Sequence, residues 1–455
     1  MSNSITEWNN QEIYKAVLRF DNGQEYTALS NNEEDNVLVT MNLNESEALT
    51  SGNPLGVMSP NRCNIVIYDS ENHLVATNTT SPYHGFIRNG VKVTLTMSSD
   101  EGSTWNPLGV YYTESFRSVR GNGSYEAVSV TCSDRLEYIG NMEIPRLSAY
   151  AGVNVVDLLK ELFKAIKLTT SDYYIDPTLS LNMIYSITKG DKLRDVLNSI
   201  AQGLVARITT DRSGRIMVVP AFPSVVVSGT LDDKDIESLT ISHNKLSLYN
   251  KVRVTYNRVD NKPSEILYEE SNVRVNPGLN KYENLEISKN IISVDGVYLL
   301  TTASEASFMD KVRSPNYLAS QGGVDVDVFS EMDKSFFAQL VVEGRTTGTT
   351  TAFVETVVKE TDAKVANTLQ LESYVIQDRD TALAYVNKVA DYLYNMEQEI
   401  VISGTLTPYL YPSLYINIVS EENPILTGLY LVTQTSINTG ESYSTSTTLV
   451  KLRGA

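Results

Sequence analysis

The sequence predicts a mainly β protein with α+β insertions, and three observations carry that prediction. Both ends of the chain are apolar or alternating runs broken by turn chemistry, and helical spacing is confined to three internal stretches. The chain also holds 27 Tyr against 10 Phe and 2 Trp, with many Thr and Val, residues that suit pleated, half-buried surfaces. Its 455 residues allow several domains with cores of their own, at ~150 residues per domain.

Taken in order, KAVLRF, NVLVTMNL, RCNIVIYD, KVTLTM, VYYTESFRSV and YEAVSVTC read as strands, separated by turns such as Asp21-Asn22-Gly23, Gly52-Asn53-Pro54 and Gly121-Asn122-Gly123. Strands at this spacing predict a barrel or sandwich over residues 1–144. Residues 145–228 then read as a small α+β domain. Asn154 is placed as an N-cap, and Val155, Leu158, Leu159, Leu162, Phe163 and Ile166 follow one helical face. A second helix starts at Asp191, where Leu193, Val196, Leu197, Ile200, Ala201 and Leu204 repeat that spacing, and it leads into a hairpin turning at Asp211-Arg212-Ser213-Gly214.

The β texture returns with SLYNKVRVTYNRV. Residues 229–260 together with 398–455 are assigned to a second β domain. Residues 261–397 form a mixed α/β insertion with VRV, GVYLLT, GGVDVDVF and AQLVVEG as strand candidates. A third helix runs from Asp380 to about Met396, presenting Leu383, Val386, Val389, Ala390, Leu393 and Met396. The last stretch, QEIVISGTL, SLYINIVS, GLYLVTQTSIN and STSTTLVKLR, is strands again, with turns at Thr407-Pro408, Tyr411-Pro412 and Thr439-Gly440. Two strand-rich ends flanking helical material fit two barrels of related design, each carrying an insertion.

Chemistry-bearing motifs are sparse. His73, His84 and His243 are the only histidines, and none forms the HExxH or HxxxH spacing of a zinc site. No GxSxG elbow, GxGxxG or GxxxxGK[ST] loop occurs. Glycosidase acids carry no local motif, but among 55 Asp and Glu no acid lies in an aromatic-rich segment resembling a sugar cleft. Asp325 and Asp327 alternate on one strand face without the run of oxygen ligands that calcium takes in an EF-hand loop. Tyr111-Tyr112, Tyr173-Tyr174, Tyr409 and Tyr411 fit barrel rims and subunit contacts better than sugar stacking. The sequence therefore predicts no catalytic, cofactor-binding or metal residues, and no cofactor. Cys63 and Cys132 lie in separate strand-like runs and read as buried thiols rather than a disulfide framework.

A net charge of −18 with no Lys/Arg run disfavours sequence-specific nucleic-acid binding, yet fits a conduit that must let DNA slide past without cationic holds. Neither a secretory leader nor a membrane-inserted segment is expected, because no apolar stretch is long enough.

Three segments in order carry a resemblance. Trp105-Asn106-Pro107-Leu108-Gly109-Val110-Tyr111-Tyr112 is followed by a hairpin and Cys132-Ser133-Asp134-Arg135-Leu136. Then come Gly190-Asp191-Lys192-Leu193-Arg194-Asp195-Val196-Leu197, a helix, Ala206-Arg207-Ile208 and Asp211 to Ile216. Last come Gly404-Thr405-Leu406, Tyr411 to Ile418, and Gly428-Leu429-Tyr430-Leu431-Val432. Together they resemble the baseplate hub proteins of contractile-tailed phages and the N-terminal structural part of siphophage tail-tip proteins. The resemblance spans about two-thirds of the chain and leaves 261–375 unmatched.

It implies two tail-tube-like β-barrels plus a small helical domain, with three subunits forming a pseudo-sixfold ring. It also implies a virion component of the tail or baseplate, present in the host cytoplasm during assembly. The partners implied are further copies in a homotrimer, the tail tube or distal tail protein, the central spike or tip, and the tape-measure protein. No enzymatic role is implied, and with Ala455 directly after the second barrel no peptidase or lysin extension is expected. Two other readings remain: a β-rich receptor- or carbohydrate-binding virion protein, and a carbohydrate-active enzyme with paired acids in a cleft.

Overall fold

A computed structural model describes the chain except residues 1–11, 33–35, 47–57, 121–125, 144–150, 186–191, 222–225, 244–248, 261–262, 288–290, 302–315, 321–322, 347, 359–366, 405–408, 440–443 and 454–455. The turns expected at Gly52–Pro54, Gly121–Gly123 and Thr407–Pro408, and the helix start at Asp191, lie outside the described residues.

The first strands alternate in the manner their sequences predict, with side chains of one parity buried and the other facing water, as in Lys92–Ser98. Ile13–Arg19 pairs with Glu25–Leu29 and with Lys92–Ser98. Lys92–Ser98 continues to Asn106–Arg120, then to Glu126–Ser133, Arg62–Tyr68 and Val37–Ser46. Val37 returns to Leu29 and closes the circuit. Inside lies a core of Leu18, Met41, Ile65, Leu95, Met97, Tyr111 and their neighbours. Cys63 and Cys132 face each other across adjacent strands, buried and unlinked.

Among the described residues, four α-helices follow in chain order. The short α1 (Arg135–Gly140) starts at Asp134, whose carboxylate accepts from the Leu136 and Glu137 amides. In α2 (Val155–Ala165), Asn154 Oδ1 accepts from the Val156 amide at 2.9 Å. Asp195 caps α3 (Leu193–Leu204) by accepting from the Lys192 amide at 3.0 Å. Asp378 opens α4 (Arg379–Asn395), accepting from Thr381 N at 2.8 Å. The predicted apolar faces of α2 and α3 meet in one core, closed by the hairpin Ala206–Thr210/Ile216–Pro220. Tyr173–Ile175 runs parallel to that hairpin's second strand.

A second sheet orders Ser238–His243, Met396–Ser403, Ser444–Leu452, Gly428–Thr439, Tyr415–Val419 and Val227–Asp232. Through Gly428–Thr439 it joins Val37–Ser46, so that both sheets form one 13-stranded surface. Lys251–Asp260 pairs with Gly348–Val357 and Thr368–Ser373 rather than with the strands of the second sheet, and α4 packs over it.

The remaining described elements between 263 and 346 are all strands. Glu265–Val275, Phe336–Thr346 and Ile291–Leu300 form one sheet, and Gly278–Glu286, Gly323–Ser330 and Asn316–Ser320 another. The two share a core of Val273, Leu299, Val324, Val326, Val328 and Leu340 among others.

Candidate assembly surfaces

Five strands of the second sheet, Ser238–His243, Met396–Ser403, Ser444–Leu452, Gly428–Thr439 and Tyr415–Val419, repeat in order and direction Val37–Ser46, Arg62–Tyr68, Glu126–Ser133, Asn106–Arg120 and Lys92–Ser98 of the first, whereas Val227–Asp232 runs parallel to its neighbour and Ile13–Arg19 antiparallel. Each long strand carries a glycine at φ +155°, Gly109 as the fourth residue of Asn106–Arg120 and Gly428 as the first of Gly428–Thr439, and two residues later places a tyrosine exposed by 1% or less, Tyr111 and Tyr430. The first glycine is required by close approach: a Cβ on Gly109 would stand 2.4 Å from the Tyr111 ring. Both strands then bulge at the matching point, between Thr113 and Ser115 and between Val432 and Gln434. Past the bulge, both extend beyond the neighbour on one edge. By the same correspondence Val37–Ser46 in the first sheet matches Ser238–His243 in the second, since each lies beside the strand that flanks the long hairpin.

The overhang of the second sheet is occupied. Gln434–Thr439 runs antiparallel to Met41–Ser46, placing Ile437 opposite Leu43, both buried, with Ile437 in the first core. Met41 N donates to Thr439 Oγ1 at 3.0 Å, and Gln434 Nε2 to Asn44 Oδ1 at 3.2 Å. At the same seam Arg212, in the turn of the small domain's hairpin, donates from Nε and Nη2 to the two Glu45 oxygens at 3.1 and 2.6 Å. These side chains are only 13% and 5% exposed, and Tyr411 lies against the guanidinium at 5.0 Å. First sheet, second sheet and small domain therefore converge on one bidentate ion pair.

A cleft of about 830 Å³ opens between the first sheet and the small domain, lined by Tyr112, Arg135, Tyr138, Met142, Ile166 and Leu168 among others. Two of its charged groups, Arg135 and Glu137, are held by ion pairs. Arg135 donates to Asp172 at 2.5 Å and to the Tyr112 hydroxyl at 3.2 Å, and Arg194 pairs with Glu137 at 2.9 Å. The Thr169 hydroxyl, Arg135 and the Thr169 amide hold the Asp172 carboxyl at about 2. Burial pushes Asp134 up to about 6 although the Asn61, Leu136 and Glu137 amides favour its charge. Asp134 thus works as a structural cap.

No group of three or more His, Cys, Asp or Glu side chains able to hold a metal occurs among the described residues. His73 pairs with Glu71 at 3.0 Å, His84 sits exposed in a turn, and His243 ends an edge strand. Asp327 lies opposite Lys281, and Asp325 opposite Leu318. Of the tyrosines, Tyr111 is core, Tyr112 lines the cleft, Tyr174 and Tyr411 are exposed, and Tyr173 and Tyr409 are half-buried.

The arrangement has close parallels among solved structures. The tail protein from Neisseria meningitidis MC58 superposes with a TM-score of 0.52 at 10% identity, over 97% of this chain and 97% of that one. The chain has a phage tail-protein fold. The 43 kDa tail protein of prophage MuSo2 from Shewanella oneidensis gives 0.51 at 10% identity, over 96% of this chain and 98% of that one. No family model and no curated protein sequence matches the chain. The tail-protein fold agrees with the hub resemblance at the level of architecture and covers residues 261–375, which the sequence left unmatched. What sequence reading missed is α1 and the fused sheet; the signal available for the repeat is the Gly-x-Tyr that stands in both GVYY and GLYL.

Proposed function

We propose that the chain is a non-enzymatic structural component of a phage-like tail or baseplate, acting as its hub. Three copies form a ring in which each contributes two barrel-like sheets, giving six similar units around a channel while keeping threefold symmetry. Such a ring joins a sixfold tube to a threefold spike or tip, and the tail tube, spike and tape-measure protein are its proposed neighbours in the virion. Residues 1–144 and the strands of 227–243 with 396–452 supply the two ring units, 145–226 the small domain beside the seam, and 249–395 the outer insertion. The observation that carries this reading is the repeated sheet unit, fused edge to edge within one chain. The test is the native mass by light scattering: a monomer weighs 50.5 kDa, and a species near ~152 kDa, with a six-lobed ring by microscopy, is expected. A monomer that binds cell-surface glycans or a receptor would transfer the function to the receptor-binding alternative.

A further inference from the structure

The internal repeat leaves two sheet edges open that it predicts to be filled. In the second sheet the overhang after the bulge is covered by Met41–Ser46. Its counterpart in the first sheet, Ser115–Arg120, pairs with Glu126–Thr131 on one side only, and no described strand lies on the other. Conversely, Val37–Ser46 has partners on both sides, whereas its counterpart Ser238–His243 pairs with Met396–Ser403 alone and ends the 13-stranded sheet. One overhang lacks its strand, and one strand lacks its overhang.

We infer that neighbouring copies of the chain join by β-pairing these two edges, Ser115–Arg120 of one copy running antiparallel to Ser238–His243 of the next. The register follows from the intrachain seam. Thr435 opposite Glu45, Ser436 opposite Asn44 and Ile437 opposite Leu43 translate into Phe116 opposite His243, Arg117 opposite Ser242 and Ser118 opposite Ile241 of the next copy. Val119 then faces Thr240, and Arg120 faces Leu239. Side-chain exposure agrees with the missing neighbour: Leu43 is 1% exposed beneath its seam, while its counterpart Ile241 stands 46% exposed. Because the two edges differ, the contact is head-to-tail, so every copy uses both and the assembly closes only as a ring. The pairing deepens the ring reading and rests on it for the number of copies.

The experiment mixes Arg117→Cys protein with Ser242→Cys protein under a mild thiol oxidant and reads cross-linking on non-reducing gels. The native thiols Cys63 and Cys132 are buried. A two-chain product in the mixture, absent from either protein alone, is expected. Arg117→Cys with Thr240→Cys should yield roughly tenfold less, because diagonal positions lie about 7–8 Å apart, beyond the ~7 Å Cα limit of a disulfide. Cross-linking of Arg117→Cys with itself, or preference for the Thr240 position, overturns the pairing. Native trimers that give no in-register product overturn it too and leave the ring standing. The doubly substituted chain separates the two claims: a ladder ending at three supports both, and a ladder continuing past three keeps the edges and removes the trimer. Monomers without cross-links overturn both.

Discussion

Replacing Arg212 with Met tests whether the seam is held by the ion pair or merely decorated by it. Glu45 is 4% exposed, so the substitution leaves a carboxylate in a site where, among the described residues, Arg212 supplies its two charge-assisted hydrogen bonds. Removing one partner of a buried pair costs about 3–5 kcal/mol, whereas replacing both with apolar groups is close to neutral. A chain with several cores does not guarantee one cooperative unfolding step, so the assay of choice is native-state amide exchange in Ala206–Pro220. Arg212→Met should speed exchange there by roughly two to three and a half decades, at 1.4 kcal/mol per decade. The double substitution Glu45→Leu/Arg212→Met should recover most of that loss. Exchange within about threefold of the parent in Arg212→Met would refute the argument, showing that water or a rearranged neighbour already satisfies Glu45.

Other positions give equally direct outcomes. Gly109→Ala forces a Cβ onto the Tyr111 ring at 2.4 Å and should cost about 2–4 kcal/mol. Gly428→Ala meets only the flexible Lys451 side chain at 2.8 Å and should cost visibly less in the same denaturant melt. Leu197→Asp, at a fully buried position, should unfold the α2–α3 unit, read as loss of helical circular dichroism, because the new carboxylate finds no partner. Asp172, held at about 2, contributes stability that is complete above its unfolded value near 4 and lost as pH falls from there toward 2. Asp172→Asn should therefore flatten the acid limb of a melting-temperature profile in that window and leave its neutral part parallel to the parent.

The sequence made some of this visible and hid the rest for identifiable reasons. Helices α2 and α3 were legible because their apolar residues fall on one face that is buried almost whole. In α4 the same pattern located the helix, although Leu383 of the predicted face is 40% exposed. The six-residue α1 is too short for periodicity to register, so Asp134-Arg135-Leu136 reads as a strand ending. The sandwich between 263 and 346 was blurred because its outer faces carry Leu279, Phe329, Phe337 and Leu300, all exposed, which breaks the alternation of apolar and polar residues. The pairing of Lys251–Asp260 with 348–357 and 368–373 leaves no local trace, since strand partners distant in sequence are chosen by packing. The seam was hidden for the same reason. Its ion pair joins Glu45 and Arg212, which have ordinary hydrophilic surroundings in sequence and become buried only when the sheets fuse.

That fusion sets the order in which the chain can be completed. Met41 is bonded to Thr439 across 398 positions, so the first sheet leaves the ribosome with a strand edge whose partner does not yet exist. At about 5–20 residues per second, the wait lasts roughly 20–80 s. During that time the seam of Met41–Ser46 is a free template, open to another nascent chain on the same message. The strand Gly428–Thr439, made long after the edge it covers, is thus also the one that retires the molecule's earliest aggregation hazard, and a truncation before Gly428 should fail through insolubility well before it fails through loss of any single core.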